Sequence, residues 1–228
     1  MKPNGLKNKT RENHKIDGLS PDANKLRGHS EIINVETLTK NIDLAWETTK
    51  TPAEFRSKLL AIFRTTLSEG SNFIQDRFLL NNDGAEAVLA QAYLMDSLIK
   101  AALETVDTKL YRAPNPTRGE QLCIIAVGGY GRGELAPFSD IDLLFLLPYK
   151  QTPRVEQVVE TILYLLWDMK LKVGHSTRSI DECMRQAKAD MTVRTAILES
   201  RYICGEISLM EQMIALSLIH ISEPTRPS

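Results

Sequence analysis

Residues 122–148, LCIIAVGGYGRGELAPFSDIDLLFLLP, constrain this chain more than any other stretch. A continuous apolar run, residues 121–127, stops at Gly128-Gly129. A second run, residues 141–147, starts between Asp140 and Asp142 and stops at Pro148. Short apolar runs without polar alternation, bounded by glycine and proline, are expected to be strands covered on both faces. Residues 171–179 alternate weakly and give a third strand. With an amphipathic helix opening at Thr152-Pro153 and another capped by Ser179 and Glu182, the order is strand, turn, strand, helix, strand, helix. That order predicts a small mixed-sheet α/β (α+β) domain over about residues 113–205.

What precedes it reads as helical. Thr51-Pro52-Ala53-Glu54 is a capping box with proline at the first helical position, and Phe55, Leu59, Ile62, Phe63 and Leu67 follow on one face. Gly70 is expected to end this helix, with a short further one across Phe73–Leu79. Asp83 and Glu86 cap a long helix whose apolar stripe runs from Val88 to Leu110, until Pro114 and Pro116 stop it. Residues 41–112 are thus expected to form a helical layer packed on the sheet domain, and residues 1–40, polar and without apolar period, a disordered tail. A helix is expected from about Thr192 to Cys204, stopping at Gly205. Residues 206–228 begin another amphipathic helix with Ile207, Met210 and Met213, then turn to SLIHISEPTRPS, which lacks helical period and reads as a foreign tail from about residue 217.

Composition limits the setting. The net charge of -1 gives no global field for nucleic acid or an anionic membrane. No apolar run approaches the roughly 18–20 residues that span a bilayer, and no signal-peptide pattern opens the chain. Cys123, Cys183 and Cys204 show no metal-binding spacing, and Cys123 is expected to be a small buried hydrophobe. A cytoplasmic protein fits this usage.

The chemistry lies in the two aspartates. Side chains alternate along a strand, so Asp140 and Asp142 share one face while Ile141 and Leu143 point into the core. Two carboxylates about 7 Å apart on such a face are costly unless paired, and divalent cations that also take substrate phosphates are the natural partner. Gly128 and Gly129 end a buried strand, where bare backbone amides can approach phosphate, and Arg132 stands in the same turn. No GK[ST] follows, which excludes a P-loop, and Glu134 interrupts a GxGxxG reading. Glycine turn and paired aspartates together point to nucleotidyl transfer.

The blocks GGYGRGEL, SDIDLLFLLP, LWDMKLKVGHSTRS and DMTVRTAILESRYICG closely resemble the bacterial PII uridylyltransferase/uridylyl-removing enzymes. The resemblance covers about residues 50–205. It implies a nucleotidyltransferase domain of the DNA polymerase β superfamily that moves UMP from UTP to a tyrosine of the PII nitrogen-signalling protein, releasing pyrophosphate. It implies two Mg²⁺ ions on Asp140 and Asp142, with Gly128, Gly129, Arg132 and Ser139 toward the triphosphate. That superfamily usually adds a third carboxylate on a later strand. Here the strand LKVGHSTRS holds none, which leaves Asp168 and Glu199 as candidates; His175, Lys172 and Arg178 lie in the same block. The HD and ACT domains of the family are expected to be absent from this chain, since its four histidines include no His-Asp pair. Two alternatives stay open: another acceptor, such as glutamine synthetase or a small molecule, and an inert nucleotide-binding fragment.

Overall fold

A computed structural model of the protein describes residues 29–222. Four helices come first: α1 (His29–Ile32), α2 (Val35–Thr48), α3 (Pro52–Asn81) and α4 (Gly84–Thr105), the last extended by a π-helical turn over Val106–Leu110. Then follow β1 (Cys123–Ala126), the short turn α5 (Gly128–Gly131), β2 (Ile141–Leu147), α6 (Pro153–Asp168), β3 (Val173–Ser179), α7 (Ile180–Ala189), α8 (Met191–Leu198), β4 (Arg201–Gly205) and α9 (Ile207–Ser222).

The capping residues do what their chemistry allows. Thr51 accepts the Glu54 amide at 3.2 Å, Asp83 the Glu86 amide at 3.0 Å, and Thr152 the Val155 amide at 3.3 Å. Ser179 and Glu182 form a reciprocal capping box. Each satisfies amides that a helix start leaves without an internal partner.

The sheet runs β3-β2-β1-β4. β1 pairs antiparallel with both β2 and β4, whereas β2 and β3 are parallel. A parallel neighbour requires a crossover, and α6 supplies it. Both faces of the sheet are covered. Ile124, Ala126, Ile141, Leu143, Phe145 and Leu147 join one continuous core with the apolar sides of α2, α3, α4 and α6. Cys123, Ile125, Leu144 and Leu146 join a second core under α7 and α9. The mixed α/β class and the helical layer on the sheet are therefore as expected. Burial pushes the Cys123 thiol up to about 12, with Glu206 adding to it, so this cysteine behaves as a hydrophobe.

Four expectations change. The helical region starts at His29 rather than at residue 41, because Ile32, Ile33 and Leu38 are buried against the core where a polar tail was expected. The rest of that tail, residues 1–28, lies outside the described residues. Gly70 does not end a helix; α3 runs through it to an αL cap at Asn82. Its role is close packing: a Cβ there would sit 2.8 Å from the Ile32 carbonyl oxygen and 2.7 Å from Leu94. Residues 201–205 form a strand, not the end of a helix, because pairing with β1 claims them. Finally, α9 continues to Ser222 through residues expected to lose helical period, and residues 223–228 lie outside the described set.

The Gly70 contact carries a prediction. Gly70→Ala is expected to destabilise the protein by about 1–3 kcal/mol of overpacking, which exceeds the roughly 1 kcal/mol that alanine gains in a helix interior. Urea unfolding of the two proteins measures it, and an unchanged midpoint would mean that α1 can move away from α3 without cost.

Candidate active site

β1 carries the chain into the glycine turn. Gly128 stands at φ 63, a left-handed conformation that glycine takes without strain, and it opens α5 directly after β1. The amide of Val127 donates to the Asp142 carbonyl at 3.1 Å, which ties the start of the turn to β2 at the position of the second aspartate. The amide of Ile141 donates to the Lys172 carbonyl at 2.8 Å and ties the start of β2 to β3. The start of β2, with Asp142, is therefore tied to the ends of both neighbouring strands.

Asp142 is seated between two glycines. It is the register partner of Gly174 on β3. A Cβ on Gly174 would lie 2.2 Å from its Oδ1, and a Cβ on Gly128 would lie 3.2 Å from its Oδ2. The carboxylate occupies the space those missing side chains leave. Gly174 was not foreseen as a site residue. Its signal was a glycine inside a strand, which marks a close approach by another group.

The electrostatics follow from this seat. Burial, and then the charge of Asp140, hold the Asp142 carboxyl above its ordinary value. Asp140 itself is exposed. Two neighbouring carboxylates, one perturbed by the other, form a donor set that a hard divalent cation would relieve. Among the described residues no group of three or more His, Cys, Asp or Glu side chains is assembled to hold a metal. Remaining ligands would come from substrate phosphate and water, as is usual for Mg²⁺.

The other candidates separate. Arg132 lies at the glycine turn, but it pairs with Glu199 at 3.1 Å and Glu134 at 3.6 Å. Glu199, a candidate third ligand, is thus engaged as the partner of Arg132. Asp168 ends α6, where its carbonyl accepts from the Arg64 guanidinium. Ser139 is exposed beside Asp140, its amide donating to the Ala136 carbonyl at 3.1 Å. His175 is in register with Leu143, on the opposite face from Asp142, and its ring meets Trp167 of α6 at 5.7 Å between centroids.

Asp142 also carries a stability prediction. Its raised value means that the folded chain binds a proton there more readily than the unfolded chain. Stability is then full when the group is protonated and is lost as pH rises from the ordinary value of 3.8 toward the higher folded one. At neutral pH the ionised carboxylate is a net cost. Asp142→Asn is expected to raise Tm at about pH 7 without divalent cations and to leave it nearly unchanged near pH 3. Thermal unfolding at the two pH values checks this; a variant less stable at neutral pH would contradict it.

Residues 117–203, which run through the sheet, match the family model described as nucleotidyltransferase domain. The mixed sheet and its helices are the fold of a nucleotidyltransferase domain. The chain is 53% identical over 160 residues to the bifunctional uridylyltransferase/uridylyl-removing enzyme of Azospirillum brasilense, covering 70% of this chain and 17% of that protein. It is 47% identical over 190 residues to the protein so named from Rhodospirillum rubrum, 83% of this chain and 20% of that one. It is 45% identical over 171 residues to the one from Rhodopseudomonas palustris, 75% and 18%. The chain is therefore a homologue of the bifunctional uridylyltransferase/uridylyl-removing enzymes, and its alignments span 17 to 20% of their length. Among the described residues no helix is long and apolar enough to cross a membrane.

Proposed function

We propose that this chain transfers UMP from UTP to a tyrosine hydroxyl of a PII signalling protein in the cytoplasm, releasing pyrophosphate. The observation that carries the reading is the seat of Asp142 between Gly128 and Gly174, next to Asp140. It puts a fixed carboxylate beside bare backbone at the carboxyl end of a buried strand, where α/β ligands bind. The relatives' name supplies the uridylyl group.

In the reaction the phenolic oxygen attacks the α-phosphorus of UTP, the bond to the β-phosphate oxygen breaks, and the phenolic proton is lost to solvent. Asp140 and Asp142 would hold Mg²⁺, two ions in the fullest form, which supplies neutralisation of the triphosphate and the leaving pyrophosphate. The chain's own contribution is placement. Gly128 and Gly129 offer backbone amides that no side chain screens from phosphate. The two glycines around Asp142 hold its carboxylate in one position, and the Val127 amide fixes the turn to that strand. Ser139 and Arg132 are the further candidates toward the triphosphate, Arg132 with its charge shared between Glu134 and Glu199.

The test is transfer of label from UTP radiolabelled at the α-phosphate to purified PII with Mg²⁺. Label on PII that is absent from a PII lacking its acceptor tyrosine supports the reading. Label on glutamine synthetase or a small molecule instead would move the acceptor. UTP binding without transfer would make the chain a nucleotide-binding module, and failure to bind any nucleoside triphosphate would remove the site assignment.

A further inference from the structure

The glycine turn has a structural difficulty. Three of the four residues of α5, Gly128, Gly129 and Gly131, are glycines, the residue type that loses most conformational freedom on folding. Amides that are to meet phosphate need to be fixed before it arrives. Tyr130 is the one residue in α5 with a side chain to hold the turn by, and that side chain is 2% exposed.

Its surroundings are an isolated ionic cluster. The Tyr130 hydroxyl donates to Asp96 Oδ1 of α4 at 2.6 Å. Arg201, at the start of β4, donates through Nη1 to Asp96 Oδ2 and through Nη2 to Asp96 Oδ1 at 3.2 Å. Nη2 also donates to the Tyr130 carbonyl oxygen at 3.1 Å, and the guanidinium lies 5.3 Å from the centre of the Tyr130 ring. Arg201 therefore holds Tyr130 by its main chain and, through Asp96, by its side chain. Asp96 is 1% exposed, and Ala92 and Ile99, its neighbours on the same side of α4, are fully buried.

Stability alone gives little reason for such a cluster. Replacing a buried ion pair with apolar groups of similar volume is often neutral or stabilising, because desolvation offsets the attraction. What the cluster adds is direction: two fixed forks and one hydroxyl define the place of one tyrosine. The neighbouring residues act the same way. A Cβ on Gly131 would sit 2.2 Å from the Glu199 carbonyl oxygen, so the turn lies directly on the chain that leads into β4. Arg132 pairs with the Glu199 side chain at 3.1 Å.

We propose that Asp96, Arg201 and Tyr130 are positioning residues that lock the glycine turn against α4 and β4, so that nucleotide affinity depends on a cluster that does not touch the nucleotide. This deepens the proposed function and rests on the turn being the triphosphate cradle.

The test uses the whole chain with UTP and Mg²⁺. The double variant D96L/R201M replaces the pair by apolar groups and leaves no lone buried charge. Y130F removes only the hydroxyl. Both are expected to keep a cooperative thermal transition, since neither opens a large cavity. Equilibrium UTP affinity is expected to fall about tenfold or more in the double variant and about threefold in Y130F, with KM for UTP rising while kcat stays within about threefold, the pattern of lost uniform binding. A folded double variant with wild-type UTP affinity overturns the proposal. Loss of the thermal transition in both variants also overturns it, because the cluster would then be structural. A wild-type chain that binds no UTP removes the proposed function itself, which is a separate and recognisable result.

Discussion

Asp142→Asn is expected to lower label transfer from UTP to PII by about 10²–10³-fold, the loss that follows when one preorganised electrostatic group is removed from a reacting centre. The substitution keeps the shape of the side chain and its seat between Gly128 and Gly174, so the loss would be one of charge. Its value lies in the opposite sign of the two effects. The same substitution is expected to stabilise the metal-free protein at neutral pH, because the folded chain holds that carboxyl above its ordinary value. A gain in Tm together with a loss of transfer separates a functional carboxylate from a structural one, as expected where a site is kept at the expense of stability. Asp140→Asn should lose activity too, but with little gain in Tm, since Asp140 is exposed. A variant at Asp142 that transfers label at the wild-type rate would remove that residue from the chemistry.

The centre of this site was legible because it is local. The apolar run after Asp140 is enough to place β2 with Asp142 near its start, and Gly128-Gly129 at the end of an apolar run is enough to place the turn. What could not be read depends on partners far along the chain. β4 forms because residues 201–205 pair with β1, 80 residues earlier in the pairing of Ile124 with Cys204, and the register shifts before Tyr202 pairs with Ile125. The segment itself, with Cys204 seven residues after Ile197, was read as the end of a helix from about Thr192. Gly70 looked like a helix end by residue type, yet its backbone is helical and the missing Cβ serves Leu94 and Ile32. Residues 29–40 looked too polar to order, but Ile32, Ile33 and Leu38 suffice to dock two helices on the core. The pairing of Asp96 with Arg201 spans 105 positions, and nothing in the sequence joins the two.

The third-ligand question takes a different form in the structure. In register, the residue on β3 beside Asp142 is Gly174, so the place a neighbouring-strand carboxylate would occupy holds a glycine. That glycine is what lets the Asp142 carboxylate lie over β3. Gly174 therefore gives Asp142 room for one close seat against β3.

Gly174→Ala tests that trade directly, and it is expected to lower transfer by about 10²-fold, the scale of loss from misplacing a reacting group by about 1 Å. The new Cβ would lie 2.2 Å from Asp142 Oδ1, which no packed pair of atoms sustains, so one of the two must move. The backbone of β3 is paired with β2 along its length and is held at both ends, by Lys172 and by the capping box at Ser179. The carboxylate is the free end of a short side chain, so the carboxylate is what yields. Gly174 lies outside the left-handed region, and alanine therefore brings no backbone strain there. The fold should survive with a stability cost of no more than about 1–3 kcal/mol. Gly128→Ala is the contrasting variant: its φ of 63 adds backbone strain to a looser 3.2 Å contact, so it should lose stability as well as activity. Thermal unfolding and label transfer measured on both variants decide the matter. Wild-type transfer by a folded Gly174→Ala protein would show that Asp142 works without its seat, and the reading of this site as a fixed carboxylate beside bare backbone would fall with it.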